Sequence, residues 1–112
     1  MRKLTFRQNV CIVISCPYDI ISCMECDEQS VWVEDEYILS FSNLSRSIIR
    51  EIKRINSELQ ESDDFKDLWK ETFRENKVIV KEGYCTECYT KCYYIYPYDS
   101  RYVKEVFDSE EN

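Results

Sequence analysis

Two Cys-x-x-Cys motifs, separated by more than half of the sequence, constrain what this 112-residue chain can fold into. Cys23 and Cys26 form the first motif, and Cys85 and Cys88 form the second. A β-branched stretch precedes each pair and a stretch with strand character follows it, which indicates a strand–turn–strand unit around each motif. The chain contains seven cysteines and no histidine. A metal site built by both motifs would therefore use sulfur and not imidazole ligands.

The spacing within each motif suits a tetrahedral metal site. Two residues between the cysteines let one turn direct both sulfur atoms at a single ion, while backbone amides hydrogen-bond the thiolates. Two such turns supply the four thiolates of a structural Zn²⁺ site, with Zn–S bonds of about 2.3 Å. The predicted ligands are Cys23, Cys26, Cys85 and Cys88. Two further cysteines, Cys16 and Cys92, would bring the number of thiols to six, enough for a second metal, and Cys92 could also replace one of the four ligands.

Other interpretations of the cysteines stay open. Disulfides in an exported protein would leave one thiol over, because seven is odd. A redox-active motif would need a thioredoxin-like βαβ context, which the sequence around neither pair indicates. Iron–sulfur ligation and thiols without a ligand are the remaining alternatives. Cys11, in an apolar stretch, is expected to be an ordinary buried cysteine. No convincing signal peptide precedes these motifs, so we expect a reducing, intracellular location in cytoplasm or nucleus.

With these two motifs the chain resembles the zinc-ribbon or double zinc-knuckle class. The resemblance covers about 14 residues around each motif. Residues 27–84 form a longer interval than the roughly 15–20 residues of a minimal ribbon, so the middle of the chain would be an insertion. The class implies a stabilising metal and usually a role in macromolecular assemblies, and it does not imply an enzyme.

The predicted fold is a single α+β domain over residues 1–112. It consists of a small antiparallel zinc-bearing sheet, a two-helix insertion at about 43–76 between the knuckles, and a short C-terminal helix. An acidic tail follows at about 108–112. The predicted strands are Leu4–Ile14, Val31–Val33, Tyr37–Leu39, Lys77–Lys81 and Cys92–Tyr96, with an acidic turn at Glu34-Asp35-Glu36.

Two helices follow from changes in hydrophobic period and from capping residues. Apolar residues recur at three- and four-residue steps from Leu44 to Leu59, which predicts a helix of about four turns capped by Ser42, Asn43 or Ser45. A second helix is predicted at Asp63–Asn76 with Ser62 as its cap, and Asp99 is expected to cap the last helix. Gly83, the single glycine, is predicted to supply a positive φ near the second motif. Trp32 and Trp69 are expected in the core.

Composition excludes several function classes. The lack of histidine removes the Ser-His-Asp triad and Cys-His pairs, and a single glycine removes P-loops and dinucleotide-binding fingerprints. With 15 basic and 22 acidic residues the net charge is −7, which argues against broad non-specific nucleic-acid binding. No apolar run approaches the roughly 18 residues of a membrane-spanning helix. The expected partner is therefore a protein, with a basic surface.

The most favoured function is a non-catalytic zinc-binding interaction module, acting as an accessory subunit or an inhibitor of a larger macromolecular machine. One alternative is a zinc-ribbon subunit of transcription or RNA-handling machinery that contacts nucleic acid through a basic helix face: Arg46, Arg50, Lys53 and Arg54. Another is a thiol–disulfide oxidoreductase that uses a Cys-x-x-Cys pair. Seven of nine tyrosines fall between positions 84 and 102, so Tyr94, Tyr96 and Tyr98 are candidate partner contacts. An equally good interpretation is that they cover a small sheet.

Overall fold

The computed structural model describes residues 3–6, 9–14, 23, 31–61 and 67–107. These residues form a mixed α+β fold with a short C-terminal helix, as predicted. The elements, in chain order, are β1 (Val10–Ile14), β2 (Val31–Ser40), a single 3-10 turn (Phe41–Asn43), α1 (Arg46–Leu59), α2 (Lys70–Glu75), β3 (Lys77–Cys85), β4 (Lys91–Pro97) and α3 (Ser100–Val106).

The four strands form one sheet in the order β1-β4-β3-β2. β2 pairs with β3 and β3 with β4 in antiparallel fashion, whereas β1 and β4 run parallel. The sheet is therefore mostly, and not wholly, antiparallel. A short turn forces antiparallel pairing only on the strands that it joins directly. β1 and β4 are separated by the helical insertion and two strands, so no such constraint acts on them.

One face of the sheet is covered by α1 and α2, and we call it the helix face. Ile48 and Ile52 of α1 and Trp69 pack there against Val78 and Ile95 of the sheet. Burying each such aliphatic side chain stabilises the fold by about 1.5–3 kcal/mol. The apolar stripe of α1 follows the prediction. Of the three candidate caps, Ser45 is the one that caps the helix, because its hydroxyl accepts a hydrogen bond from the Ile48 amide at 3.4 Å.

The opposite face of the sheet carries the cysteines, and we call it the thiol face. Its buried residues come from three strands and from one isolated position: Cys11, Cys23, Ile79, Cys85, Cys92, Tyr94 and Tyr96. Tyr102 and Val103 of α3 pack against them. As predicted, α3 begins at Asp99, whose carboxylate accepts hydrogen bonds from the amides of Arg101 and Tyr102.

Several predicted boundaries are wrong. The first strand is shorter than Leu4–Ile14, because Asn9 has a positive φ of 66° and interrupts it, while Leu4 forms an isolated bridge with Leu44. Residues 34–36 form no turn, since β2 runs through them and takes up the extra residue as an irregularity between Val33 and Asp35. A solvent-exposed sheet edge accommodates these charges within a strand.

The second helix begins at Lys70 and not at Asp63. Residues 67–69 form a turn, and the helix ends at Asn76, which has a left-handed φ of 56° as a C-terminal cap. The predicted cap Ser62 and the start at Asp63 lie outside the described residues, as does the acidic tail 108–112. No helix in the described ranges is long and apolar enough to cross a membrane.

Gly83 has a different role from the predicted one. It lies inside β3 and has no positive φ. A Cβ atom at Gly83 would lie 2.0 Å from the Trp32 carbonyl oxygen and 2.9 Å from the Val33 Cα atom. Close approach of the β2 backbone therefore requires glycine here. The left-handed residue near the second motif is Tyr89, with a φ of 61°.

Replacement of Gly83 by alanine tests this packing. We expect Gly83→Ala to lower the free energy of unfolding by about 1–3 kcal/mol, because the added methyl group meets backbone atoms that can yield only by separating β2 from β3. Ser57→Ala, on the exposed side of α1, is the matched control and should change stability by less than about 0.5 kcal/mol. Urea denaturation measures both. Equal stability of the two variants would contradict the packing described.

Candidate metal centre

Three of the four predicted ligands converge on the thiol face. The Sγ atoms of Cys23, Cys85 and Cys88 all lie within 4.8 Å of one another, although 65 positions separate the first from the last. The Cys23 and Cys88 sulfur atoms are 3.6 Å apart. Tetrahedral coordination with Zn–S bonds of about 2.3 Å requires sulfur atoms roughly 3.8 Å apart, so the three thiols fit such an ion. Cys26 and Cys16 lie outside the described residues.

The second motif forms a tight turn between β3 and β4. The Tyr89 amide donates to the Cys85 carbonyl at 2.8 Å, and the Cys85 amide donates to the Thr90 carbonyl at 3.0 Å. The Glu87 amide donates to Cys85 Sγ at 3.4 Å. This amide-to-sulfur bond is the one expected in a knuckle that stabilises thiolates. The turn leaves Cys85 buried and Cys88 exposed, both with sulfur directed to the same point.

Thr90 contacts the group of three cysteines, which the sequence did not lead us to expect. Its hydroxyl oxygen lies 3.1 Å from Cys88 Sγ. Hydrogen bonds from the Thr90 side chain and backbone lower the pKa of the Cys88 thiol to about 6, so this ligand is a thiolate at neutral pH. The only indication of this contact in the sequence is a hydroxyl residue two positions after the second Cys-x-x-Cys motif.

Cys92 is not brought into the group of three. It is buried in register with Cys11 of β1, and its Sγ donates to the Thr90 carbonyl at 3.4 Å. Burial raises the pKa of the Cys92 thiol to about 12, so it stays protonated. The structure therefore favours a core role for Cys92 over that of an additional ligand.

The tyrosines of β4 are mostly interior. Tyr94 is 1% exposed and Tyr96 is 6% exposed, because β4 lies between β1 and β3 and both of its faces are covered. The two side chains are thus core residues, which corrects their selection as partner contacts. Tyr98, beyond the strand, is partly exposed, with the Lys77 ammonium 5.7 Å from its ring centre. Of the two tryptophans, Trp69 is buried as expected and Trp32 is 61% exposed.

The predicted basic residues lie on the outer side of α1. Arg46, Arg50, Lys53 and Arg54 are all exposed. Arg54 forms ion pairs with Glu51 and Glu58, so its charge is compensated locally. Because α1 covers the helix face, this basic surface and the thiols lie on opposite sides of the sheet.

The three thiols can hold a soft or borderline divalent ion. A site of thiolates alone leaves no position for a reacting water when four are bound, which is typical of structural zinc centres. The second motif connects two strands and does not begin a helix, unlike the thioredoxin-type motifs whose helix dipole activates the thiol.

Comparison of the chain with family models, with curated proteins and with solved structures found no match at any of the three levels.

Ligand substitutions test the centre. We expect Cys23→Ser and Cys85→Ser each to weaken Co²⁺ binding and to lower the thiolate-to-Co²⁺ charge-transfer absorption, because each removes one converging sulfur and leaves at most three thiolates. Cys11→Ala is the matched control: it removes a buried thiol of the same face that is outside the group of three, and should keep the spectrum. An unchanged spectrum in the Cys23 variant would contradict the site.

Proposed function

We propose that this chain is a non-catalytic zinc-binding interaction module, an accessory subunit or inhibitor of a larger macromolecular machine. The observation that carries the proposal is the convergence of Cys23 with Cys85 and Cys88. Cys26, from the same motif as Cys23, is the proposed fourth ligand. Zinc would join the start of the chain to the β3–β4 turn, and its binding free energy would become folding free energy.

The ligand set favours a structural role over catalysis. Four thiolates would close the coordination sphere, and the chain has no histidine to act as a general base beside it. A domain of this size is only marginally stable, and a structural metal is a common supplement. We propose a reducing, intracellular compartment. An odd number of cysteines that includes two Cys-x-x-Cys motifs favours metal binding in a reducing setting over a closed disulfide framework.

The charge of the chain supports a protein partner with a basic surface. Zinc bound by four thiolates contributes +2 − 4, which takes the net charge from −7 to about −9. Such a module would be repelled by phosphate backbones and attracted to basic proteins, including those that otherwise hold nucleic acid.

One observation favours a second candidate function, an accessory subunit that contacts nucleic acid. Arg46, Arg50 and Lys53 are exposed on one helix, and none has an ion-pair partner among the described residues. An accessory subunit that contacts RNA or DNA would use this surface. Charge reversal at these positions would weaken nucleic-acid binding under this alternative and leave protein binding unchanged under the favoured one.

Metal and thiol analysis tests the proposed function. Protein purified without added metal should contain one zinc per chain and, while folded, no more than three titratable thiols, since four of the seven are ligands and Cys11 and Cys92 are buried. A chelator should expose four more thiols and lower the thermal midpoint, because the metal stabilises only the folded chain. Zero zinc with fewer than two titratable thiols would contradict the proposal.

A mobility-shift assay separates the two candidate functions. At physiological salt we expect no tight binding of naked DNA or RNA by the zinc-loaded protein, because its net charge repels phosphates. Tight binding that is lost on reversing Arg46, Arg50 and Lys53 would replace the favoured function with the nucleic-acid alternative.

A further inference from the structure

β2 is an outer strand of the sheet and its longest one. In the described part of the chain it pairs with β3 alone, over Val31–Ser40. Its other edge carries the backbone amides and carbonyls that β3 does not pair, while one amide of the strand, that of Glu36, already donates to the Asp35 carboxylate at 2.9 Å. Such an edge is a template for an additional strand unless something blocks it.

The side chains of β2 are unusually apolar for an edge. Trp32 is 61% exposed, Val33 is 38% exposed and Ile38 is 37% exposed. These are three of the five large hydrophobic residues that stand exposed among the described residues. Aromatic residues at the surface are enriched where proteins bind one another. β2 thus combines an open backbone edge with apolar contact area.

Three consecutive carboxylates interrupt this apolar strand. Glu34, Asp35 and Glu36 have no ion-pair partner in the described ranges, although Glu36 accepts a hydrogen bond from the Tyr102 hydroxyl. The neighbouring lysines are engaged elsewhere. The Lys91 ammonium pairs with Glu82 at 2.9 Å, and the Lys81 ammonium lies 5.1 Å from the ring centre of Tyr96. Lys91 also lies near enough to Glu34 to attract it, but no ion pair of the described residues neutralises Glu34, Asp35 or Glu36 directly.

We propose that the edge of β2 binds the partner protein, by adding an extended basic segment of it as a fifth strand. This inference rests on the proposed function and gives its partner a docking surface. Main-chain hydrogen bonds would supply affinity, as in other cases of strand addition. Arginine or lysine side chains would meet Glu34 and Asp35, and one of them could lie on the Trp32 ring as a cation–π contact.

The charge pattern selects this occupant over two others. A second copy paired antiparallel through β2 would place the acidic runs opposite each other, which is destabilising. The chain's own residues 15–30 carry four carboxylates and no basic residue, and residues 108–112 carry three carboxylates and no basic residue. Neither segment complements the edge. The irregularity between Val33 and Asp35 interrupts the pairing of β2 with β3. The longest regular stretch of β2 is therefore Asp35–Ser40, and an added strand would pair there.

Peptide binding to the zinc-loaded full chain tests the proposal. The probe is a fluorescent octapeptide of alternating arginine and valine, compared with a glutamate–valine peptide and with an arginine–valine peptide N-methylated at alternate residues. We expect only the first to bind at physiological salt in fluorescence anisotropy. The affinity should fall at least about tenfold in the double variant Glu34→Gln/Asp35→Asn. It should be unchanged in Glu61→Gln/Asp67→Asn, which removes the same charge from exposed sites elsewhere.

Three outcomes overturn the proposal: no binding of the arginine–valine peptide, equal binding of the N-methylated peptide, or equal loss of affinity in both double variants. Amide chemical shifts that move on α1 and not on β2 would also contradict it. Self-association that disappears in the Glu34/Asp35 variant would assign the edge to a second copy. Zinc content is measured on the same samples, so a failure with zinc present overturns this inference, whereas absent zinc overturns the proposed function.

Discussion

The contact of Cys23 with the β3–β4 turn is the interaction on which the candidate metal centre depends. Cys23 and Cys88 are 65 positions apart, but β2 already pairs with β3, with Val31 opposite Cys85, so the sheet itself closes most of this interval. The contact between Cys23 Sγ and Cys88 Sγ, at 3.6 Å, therefore adds to a sheet that the backbone already forms. Thiolates bound to one metal ion would hold Cys23 against this turn, and the binding free energy would add to the folding free energy.

The two faces of the sheet are stabilised differently. The helix face has two helices and a conventional core of isoleucine, valine and tryptophan. On the thiol face, the cover seen among the described residues is the seven-residue α3, beside a cluster rich in cysteine and tyrosine. A metal on that side would compensate for the smaller apolar layer. The arrangement also separates surfaces, since the basic side of α1 lies away from the thiols.

The elements that sequence predicted well are those whose signals are local. The α1 stripe, its Ser45 cap, the Asp99 cap and the strands β3 and β4 each depend on neighbouring residues. The convergence of Cys23, Cys85 and Cys88 was expected from a similar local signal, because two-residue spacing between cysteines favours a shared ion. That Cys23 then meets Cys88 was predictable only through the chemistry of tetrahedral coordination.

The wrong predictions for Gly83, Trp32 and the tyrosines of β4 concern sheet order, which the sequence does not encode locally. Gly83 is required by the proximity of Trp32, and that follows from β2 pairing with β3. Tyr94 and Tyr96 are buried because β4 is an interior strand, whereas Trp32 is exposed because β2 is an outer one. The strand order therefore explains why two tyrosines that were expected at the surface are buried and why a tryptophan that was expected in the core is exposed.

X-ray absorption at the zinc edge, on protein purified without added metal, tests the central claim most directly. We expect a first shell of four sulfur atoms at about 2.3 Å with no lighter ligand. A first shell of oxygen or nitrogen atoms, or protein that contains no zinc, would contradict it.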